Sequence, residues 1–349
     1  AAESMAQLFL GVRIQCAKCH NHPYEAITQD DYYGLAAYFA RVKLKGRVFG
    51  LDREIVYVGR EGEVKHAATG KVMQPTAFGN VAAEVSAGED VRRQLADWVA
   101  NPDNRWFARS TVNRIWSHLF GEGIVDPVDD LRESNPPSNE ALLEALTADF
   151  IKQGYRFKPL IRTITTSQAY RLGARPVVQS RYAADPRRYV TSTQVTMLSA
   201  EQILDAICQV SEVPQSFSGL PPGTRAGQLP SPEGSPGFLQ IFGKPARETS
   251  CDCERQTSST LSQHLVLVNG SLIADKIRHK QNRFRRLVAE GKNDRQIVED
   301  LYLAAYCRLP NAAELQVAMD FIKRSAGREQ GHEDIQWAVI NSKEFLFQH

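Results

Sequence analysis

The sequence predicts a mostly α-helical protein that contains one small β element. Apolar residues recur at the spacing of amphipathic helices over most of the chain. β-branched and aromatic residues are concentrated at Ile55–Val58, and Gly and Pro are concentrated at 214–245. The predicted order is a short helical segment at 1–46, a β-containing linker at 47–87, and a larger all-α domain at 88–349 that includes a Pro/Gly-rich loop at 214–245.

The composition narrows the class of protein. The chain has 349 residues, of which 42% are hydrophobic and 23% are charged, as is usual for a globular protein. The formal net charge is only +2, so we expect no nucleic-acid partner. The sequence contains no apolar run of about 18 residues, so we expect no membrane span. It begins at Ala1 without a methionine, and we expect it to be a piece of a longer polypeptide.

The first predicted helix leads directly into a cluster of thiols. Met5, Leu8, Phe9 and Val12 recur at helical spacing and form one predicted apolar face. After the cluster, Thr28 is a predicted N-cap that is followed by acidic residues, and a second helix is expected over 32–42. A strand at Glu54–Val58, a turn at Gly59–Gly62 and a returning strand at Glu63–His66 are then expected to form a hairpin or small sheet.

The thiol cluster reads Cys16-Ala17-Lys18-Cys19-His20, which is the C-x-x-C-H pattern of covalent haem attachment. Two thiols at this spacing reach the two vinyl groups of one porphyrin, and the adjacent imidazole becomes an axial ligand of the iron. The apolar helix face before the thiols suits a porphyrin, and no second C-x-x-C lies nearby to complete a zinc site. Haem c is therefore favoured, while a zinc or iron site and an inert thiol pair remain alternatives.

The cell compartment follows from the haem prediction. In bacteria the thioether bonds of haem c form outside the cytoplasm, so the protein is expected in the periplasm or cell envelope. The expected sixth ligand of the iron is open. The weak candidates are His118, His264, Met5, Met73, Met197 and Met319. His22 is too close to His20 to reach the opposite face of the same haem.

The larger domain is predicted to consist of amphipathic helices. A capping box at Ser199 and Gln202 opens one of them. The predicted helices cover 90–100, 105–120, 139–153, 158–170, 203–213, 294–307, 311–325 and 333–346. Cys208 and Cys307 end apolar runs in this domain, and we expect both to be small buried hydrophobic residues.

A second cluster of reactive groups follows the Pro/Gly-rich loop. Arg247, Cys251, Cys253 and Arg255 lie within nine residues. Cysteines two residues apart on an extended chain point to opposite faces, which disfavours a mutual disulfide. The thiols are weak candidates for catalysis, redox chemistry or metal ligation, and the arginines for binding a haem propionate or another carboxylate. The alternative is a surface loop whose charges pair with one another.

Several segments together resemble a pair of planctomycete cytochrome-c-associated domains of unknown function. Residues 9–23 with 28–33 resemble the end of the first domain. Further segments resemble its usual helical partner domain and cover the chain almost to its end. They are 95–98, 101–104, 113–116, 134–138, 251–255 and 341–346. The resemblance implies an exported protein of planctomycetes or related bacteria, in which a further cytochrome-like module precedes this chain and carbohydrate-binding modules are common.

Three classes of function follow from these observations. The first is an exported c-type haem protein that transfers electrons or acts as a haem-dependent oxidoreductase, with an expected link to polysaccharide breakdown. The second is an envelope scaffold or carbohydrate-binding protein with a structural haem or zinc site. A hydrolase has little support, because no G-x-S-x-G or H-E-x-x-H motif is present. The expected partners are a redox protein or the missing N-terminal part of the same polypeptide, and a polysaccharide.

Overall fold

A computed structural model of the protein describes residues 1–45, 55–84, 89–173, 189–190, 195–229, 237–246 and 260–348. Over these residues the chain is mostly helical and has only short two-stranded sheets, which confirms the predicted fold class. The described residues form two compact units. The first lies within residues 1–190 and the second within 195–348. None of the helices in these ranges is both long and apolar enough to cross a bilayer.

The first unit begins with an irregular helix. Helix α1 (Ala2–Met5) continues as a π-turn over Ala6–Leu10, and Gly11 ends it in the left-handed conformation with φ of +68°. A Cβ atom at Gly11 would lie 2.7 Å from the Ser110 Oγ, so the position requires glycine for both reasons. A short 3-10 helix, Gln15–Lys18, follows.

The π-turn changes which side chains of this helix are buried. Its hydrogen bonds join residues five apart rather than four, which interrupts the regular α-helical period. Ala6 and Leu10 of this turn are completely buried. Val12 is buried as predicted, but Leu8 and Phe9 are 42% and 49% exposed. The predicted apolar face was therefore wrong for Leu8 and Phe9, because the prediction assumed a regular α-helix.

Helix α2 (Gln29–Ala37) opens as the sequence predicts. Thr28 and Asp31 form a reciprocal capping box at its N-terminus. The helix is shorter than expected, and strand β1 (Val42–Lys45) follows it. This strand pairs antiparallel with β2 (Ile55–Val58). The predicted return strand at 63–66 was wrong, because the partner of β2 lies upstream and this segment contributes only an isolated bridge between Lys65 and Val72. A second small hairpin joins β3 (Thr76–Ala77) to β4 (Val81–Ala82).

Four further helices lie in the described residues of the first unit. They are α3 (Arg92–Val99), α4 (Phe107–Phe120), α5 (Glu140–Lys152) and α6 (Phe157–Thr165). One apolar stripe on each of α4, α5 and α6 faces a shared core. Its largest buried members are Trp116, Phe120, Leu143, Phe150, Leu160 and Ile164. Full burial of each such side chain contributes about 1.5–3 kcal/mol, so this core stabilises the scaffold to which the N-terminal segment is attached.

The second unit is a helical cluster closed by a two-stranded ladder between β5 (Thr196–Met197) and β6 (Phe347–Gln348). Its first helix opens at Ser199 with the predicted capping box. The helices are α7 (Ala200–Ser211), α8 (Gly237–Ile241), α9 (Leu261–Asn269), α10 (Ser271–Ile277), α11 (Arg283–Ala289), α12 (Asp294–Tyr306), α13 (Ala312–Arg324), α14 (Arg328–Ile340) and α15 (Lys343–Leu346).

The segment predicted as a Pro/Gly-rich loop contributes to this core. Its described residues include a 3-10 turn at Ala226–Gln228 and helix α8. Phe217, Phe238 and Phe242 of this segment are buried in the main cluster of the unit. The sequence of this segment has little periodicity because its helical elements are short and are held in the core by a few separate aromatic side chains.

The two isolated cysteines of this unit differ from each other. Cys208 is half-buried, whereas Cys307 is exposed. Cys307 follows α12 in the left-handed conformation with φ of +56°, the position that ends a helix and turns the chain outward. The prediction that Cys307 is a small buried residue was therefore wrong.

Candidate functional site

Residues 15–22, which contain the C-x-x-C-H motif, form an exposed turn that we call the motif turn. Buried side chains hold this turn against the protein. Ile14 and Ala17 are completely buried, while Cys16 and Cys19 are exposed free thiols. The Cys19 backbone N–H donates to the Cys16 carbonyl oxygen at 3.3 Å. Residues three apart on a 3-10 helix lie one above the other. Both thiols therefore face solvent on one side, as attachment to a single porphyrin requires.

The His20 ring is held in one tautomer. Its Nδ1 atom lies 2.7 Å from the Asn21 carbonyl oxygen. A carbonyl oxygen only accepts, so this bond requires the proton on Nδ1 and leaves the lone pair of a neutral ring on Nε2. Metal-binding histidines are commonly oriented in this way, with the second ring nitrogen donating to a backbone carbonyl.

Hydrogen bonds from α2 hold the motif turn. The Lys18 carbonyl accepts from the Tyr33 hydroxyl at 2.8 Å and from the Gln29 side-chain amide at 3.3 Å. The Gln29 backbone N–H donates to the Asn21 Oδ1 at 3.0 Å. These bonds cross the turn on both sides of Cys19, so the thiol and the imidazole are anchored to the same helix.

A buried aromatic layer supports Tyr33. Its ring lies 5.0 Å from the Tyr32 ring in a T-shaped contact and 4.9 Å from the His66 ring. Sequence reasoning missed His66, because it is brought here from 33 residues along the chain by tertiary packing. Backbone N–H groups of Ala68 and Thr69 donate to the His66 Nδ1, so the proton lies on Nε2, 3.6 Å from a carboxylate oxygen of Asp30.

Tyr32 closes the layer on the other side. Its hydroxyl donates to the Glu3 carboxylate at 2.7 Å. Burial raises the pKa of Tyr32 well above its usual range, and the neighbouring Glu3 carboxylate raises it further. The hydroxyl therefore stays protonated and serves as a fixed donor.

The helix before the motif turn is attached to α4 and to the loop after it. Asp129 is 1% exposed and accepts from the Arg13 guanidinium at 2.6 Å and from the Gln7 side-chain amide. The Arg114 guanidinium donates to the Gln7 carbonyl oxygen at 2.8 Å. The Leu131 N–H donates to the Gly11 carbonyl oxygen at 2.8 Å. A buried carboxylate that is paired on both oxygens fixes the position of this helix.

This donor set fits a covalently attached haem. Two exposed thiols lie on one side of a short turn, and the next residue presents a free Nε2. Apolar side chains are exposed on the same segment at Leu8, Phe9 and Tyr24, the last of these 71% exposed. Among the described residues, no three His, Cys, Asp or Glu side chains are gathered as ligands for a metal ion.

The structure does not select a sixth ligand. His118 is exposed near the end of α4. His264 is exposed on α9 in the second unit, where its Nδ1 lies 2.9 Å from the Thr260 carbonyl oxygen. Met5 and Met73 pack against the N-terminal core, and Met197 and Met319 belong to the second unit. The identity of the sixth ligand stays a prediction.

The second predicted cluster lies outside the described residues. Arg247, Cys251, Cys253 and Arg255 all fall within 247–259, which the structure does not describe. Their roles as thiol and carboxylate-binding groups therefore also stay predictions.

Two family models match the chain. Residues 91–322 match the family described as PSD1, a protein of unknown function (DUF1553). Residues 1–44, which contain the motif turn, match the family described as PSCyt2, also a protein of unknown function (DUF1549). No curated protein and no solved structure matches the chain.

Proposed function

The chain belongs to the PSD1 family of proteins of unknown function, and from that premise we propose that it is an exported c-type haem protein. In this proposal it transfers electrons or acts as an oxidoreductase in polysaccharide breakdown. The observation that carries the proposal is the motif turn, in which two accessible thiols stand beside an imidazole with a free Nε2.

Each residue of the motif turn has a defined role in this proposal. Cys16 and Cys19 bind the porphyrin through thioether bonds, and the His20 Nε2 binds the iron. The Asn21 carbonyl orients the His20 ring through its bond to Nδ1. Tyr33 holds the turn through the Lys18 carbonyl. When bound, the haem supplies an iron that accepts and donates single electrons.

The exposure of the turn supports electron transfer rather than a closed catalytic pocket. Cys16, Cys19 and His20 are all exposed at the surface of the first unit. A haem held by these residues would be accessible to another protein, so the proposed partner is a redox protein or the preceding part of the same polypeptide. Since thioether attachment occurs outside the bacterial cytoplasm, the proposed location is the periplasm or cell envelope.

A structural role is the second candidate. The motif turn and the helix before it are held from both sides by the contacts of Tyr33 and Asp129. Such anchoring also suits a scaffold or carbohydrate-binding protein in which haem or zinc only stabilises the N-terminal segment. Zinc would use the same thiolates and imidazole.

The intact mass of the full chain tests the proposal. The protein is produced in a bacterial periplasm with the haem-maturation machinery, together with a C16S/C19S variant and a C208S/C307S control. We expect wild type and control to gain the mass and visible spectrum of one haem, and C16S/C19S to gain neither. A wild-type mass equal to the bare polypeptide, with one zinc ion per chain, would instead establish the zinc site.

A redox titration separates the two roles of a bound haem. Reversible reduction of the loaded protein by small soluble reductants supports electron transfer. A haem that stays oxidised under the same conditions supports the structural role.

A further inference from the structure

A cleft of about 610 Å³ lies within the first unit beside the loop that follows the motif turn. Its volume is within the range of small-molecule sites, about 300–1,000 Å³. One wall consists of Glu25, Ala26 and Ile27, which begin three residues after the end of the motif turn. The facing walls come from the start of α4 and from the loop before α5. The cleft is therefore built by both of the segments that match separate families.

The walls of the cleft are joined before any ligand binds. The two carboxylate oxygens of Glu25 accept from the Glu133 backbone N–H at 3.3 Å and from the Ser134 hydroxyl at 3.1 Å. The Asn135 side-chain amide donates to the carbonyl oxygens of Asp126 and Asp130 at 3.2 and 3.0 Å. These bonds give a role to the segment 134–138, which carried part of the family resemblance. The same hydrogen bonds hold Pro136 and Pro137 in the wall of the cleft without closing it.

Positively and negatively charged side chains both line the cleft, which indicates a ligand that carries hydrogen-bond acceptors as well as donors. The exposed guanidinium of Arg105 lies 4.6 Å from the centre of the Trp106 ring, and none of the described residues accepts a hydrogen bond from it. The Nε of Arg132 is buried without a partner among the described residues. The exposed Glu133 carboxylate is likewise unpaired within the described ranges. Guanidinium groups need acceptors and a carboxylate needs donors.

Apolar side chains form another part of the cleft lining. They include Ile27, Trp106, Pro136 and Pro137. A ligand that fits the cleft therefore has hydroxyl groups around its edge, which meet the charged side chains. Its flat faces carry C–H groups, which meet the apolar side chains. Carboxylates and guanidinium groups both line the cleft, so a fixed charge of either sign on a ligand would meet a like charge. The carboxylates are those of Glu25, Asp31, Glu133 and Glu140, and the guanidinium groups are those of Arg105, Arg109 and Arg132.

We propose that this cleft binds a sugar unit of a neutral polysaccharide. The inference rests on the proposed function only where it links the bound sugar to the haem, because none of Cys16, Cys19 and His20 lines the cleft. Hydroxyl groups of the sugar accept from Arg105 and donate to Glu133, and its C–H face packs on the apolar wall.

Calorimetric titration of the full haem-loaded chain tests this inference. The probes are cellohexaose and xylohexaose as neutral oligosaccharides, and hexagalacturonate as an acidic one. The cleft variants are R105Q and E133Q. Their matched controls are R93Q and E61Q, which change exposed residues of the same unit that lie outside the cleft. Loss of one charge-assisted hydrogen bond is expected to weaken binding about tenfold.

We expect at least one neutral probe to bind, R105Q and E133Q each to raise its Kd about tenfold, and R93Q and E61Q to leave it unchanged. The inference is overturned if folded protein binds neither neutral probe, binds only hexagalacturonate, or binds equally well in the cleft variants. The C16S/C19S chain is titrated in parallel. If the haem-free chain binds the sugar as tightly as the haem-loaded chain, sugar binding does not depend on the haem. Each of the two proposals can then be disproved without the other.

Discussion

Two surface regions of the protein each have an exposed cysteine beside polar residues. They differ in whether those polar groups are hydrogen-bonded within the protein. The first is the motif turn. The second is the C-terminal clamp, which we define as Tyr306, Arg308, Glu314, Ser342 and Glu344. Arg308 donates to both Glu314 oxygens at 2.8 Å and to the Glu344 oxygens at 2.6 and 2.7 Å. The Tyr306 hydroxyl lies 2.8 Å from the Ser342 hydroxyl.

The clamp satisfies its own polar groups, whereas the motif turn does not. Cys307 beside the clamp is only the residue that ends α12. In the motif turn, the backbone is held by Tyr33 and Gln29, while none of the described residues pairs with the two thiols or with the His20 Nε2. Unpaired groups on a rigid support are available to a ligand. The motif turn and the clamp residues Ser342 and Glu344 lie in segments that carry the family resemblance, so motif membership alone does not separate fold from function.

The largest expected effect is the difference in haem spectrum between a variant of His20 and a variant of the nearby His22. His20→Gln should abolish the visible spectrum of a histidine-ligated haem, because it removes the free Nε2. His22→Gln should retain that spectrum, because the His22 Nδ1 already accepts the Tyr24 N–H at 3.3 Å and its Nε2 therefore carries the proton. Visible absorption of the haem-loaded variants checks this. Equal spectra for the two variants would contradict the assignment of His20.

The next effect concerns the thiols of the chain before haem attachment. Burial raises the pKa of the Cys208 thiol, and the buried Lys276 opposes this only in part. Alkylation of native apoprotein should modify Cys16, Cys19 and Cys307 at least about tenfold faster than Cys208, because access and thiolate fraction are both lower at Cys208.

Peptide mass spectrometry over time measures these alkylation rates. Lys276→Met sharpens the comparison, since removal of the cation should slow Cys208 further. Rapid alkylation of Cys208 at the rate of the motif thiols would show that exposure does not separate them.

A smaller effect tests the support of the motif turn. Tyr33→Phe removes the bond to the Lys18 carbonyl and should lower the free energy of unfolding by about 1 kcal/mol. Tyr38→Phe is the matched control. Tyr38 is 3% exposed, and its hydroxyl has no hydrogen-bond partner among the described residues. Urea unfolding measures both variants, and an equal cost for both would contradict the role of Tyr33.

The smallest effect concerns the clamp and pH. The hydrogen bond from Arg308 holds the pKa of Glu314 at about 2, below its usual value of 4.5. A lowered folded-state pKa contributes stability that is fully present above the unfolded pKa and is lost as pH falls toward the folded pKa. The stability advantage of wild type over Glu314→Gln should therefore shrink from pH 6 to pH 2.5, as measured by urea unfolding. An advantage that does not change over this range would contradict it.

Short-range features of this protein could be predicted from the sequence. The N-cap at Thr28 and the capping box at Ser199 form as expected, because each involves groups only three residues apart. Helices α9 to α11 were not predicted. In α9 the apolar residues Leu261, Leu265 and Val268 are exposed and blur the apolar period.

Other motif residues have roles that only tertiary contacts reveal. Asn113 is completely buried, and its side-chain amide pairs with both backbone groups of Val125 at 2.7 and 2.9 Å. Arg114 next to it binds the Gln7 carbonyl oxygen. Spacing identified this segment as part of a family pattern, but it could not show that the pattern joins α4 to the N-terminal helix. The residues of the second thiol cluster lie outside the described ranges, so their prediction is untested.

The sequence by itself determined the chemistry that the motif turn offers, because two thiols and an imidazole at fixed spacing follow from covalent connectivity. It also determined the helical class, since periodicity and caps are local. Only the tertiary structure decided that the thiols are exposed, that a proton sits on the His20 Nδ1, and that His66 and Asp129 support the turn and the helix before it. The His66 and Asp129 contacts join residues far apart in the chain and depend on burial and on the π-turn before Gly11, neither of which a local pattern encodes.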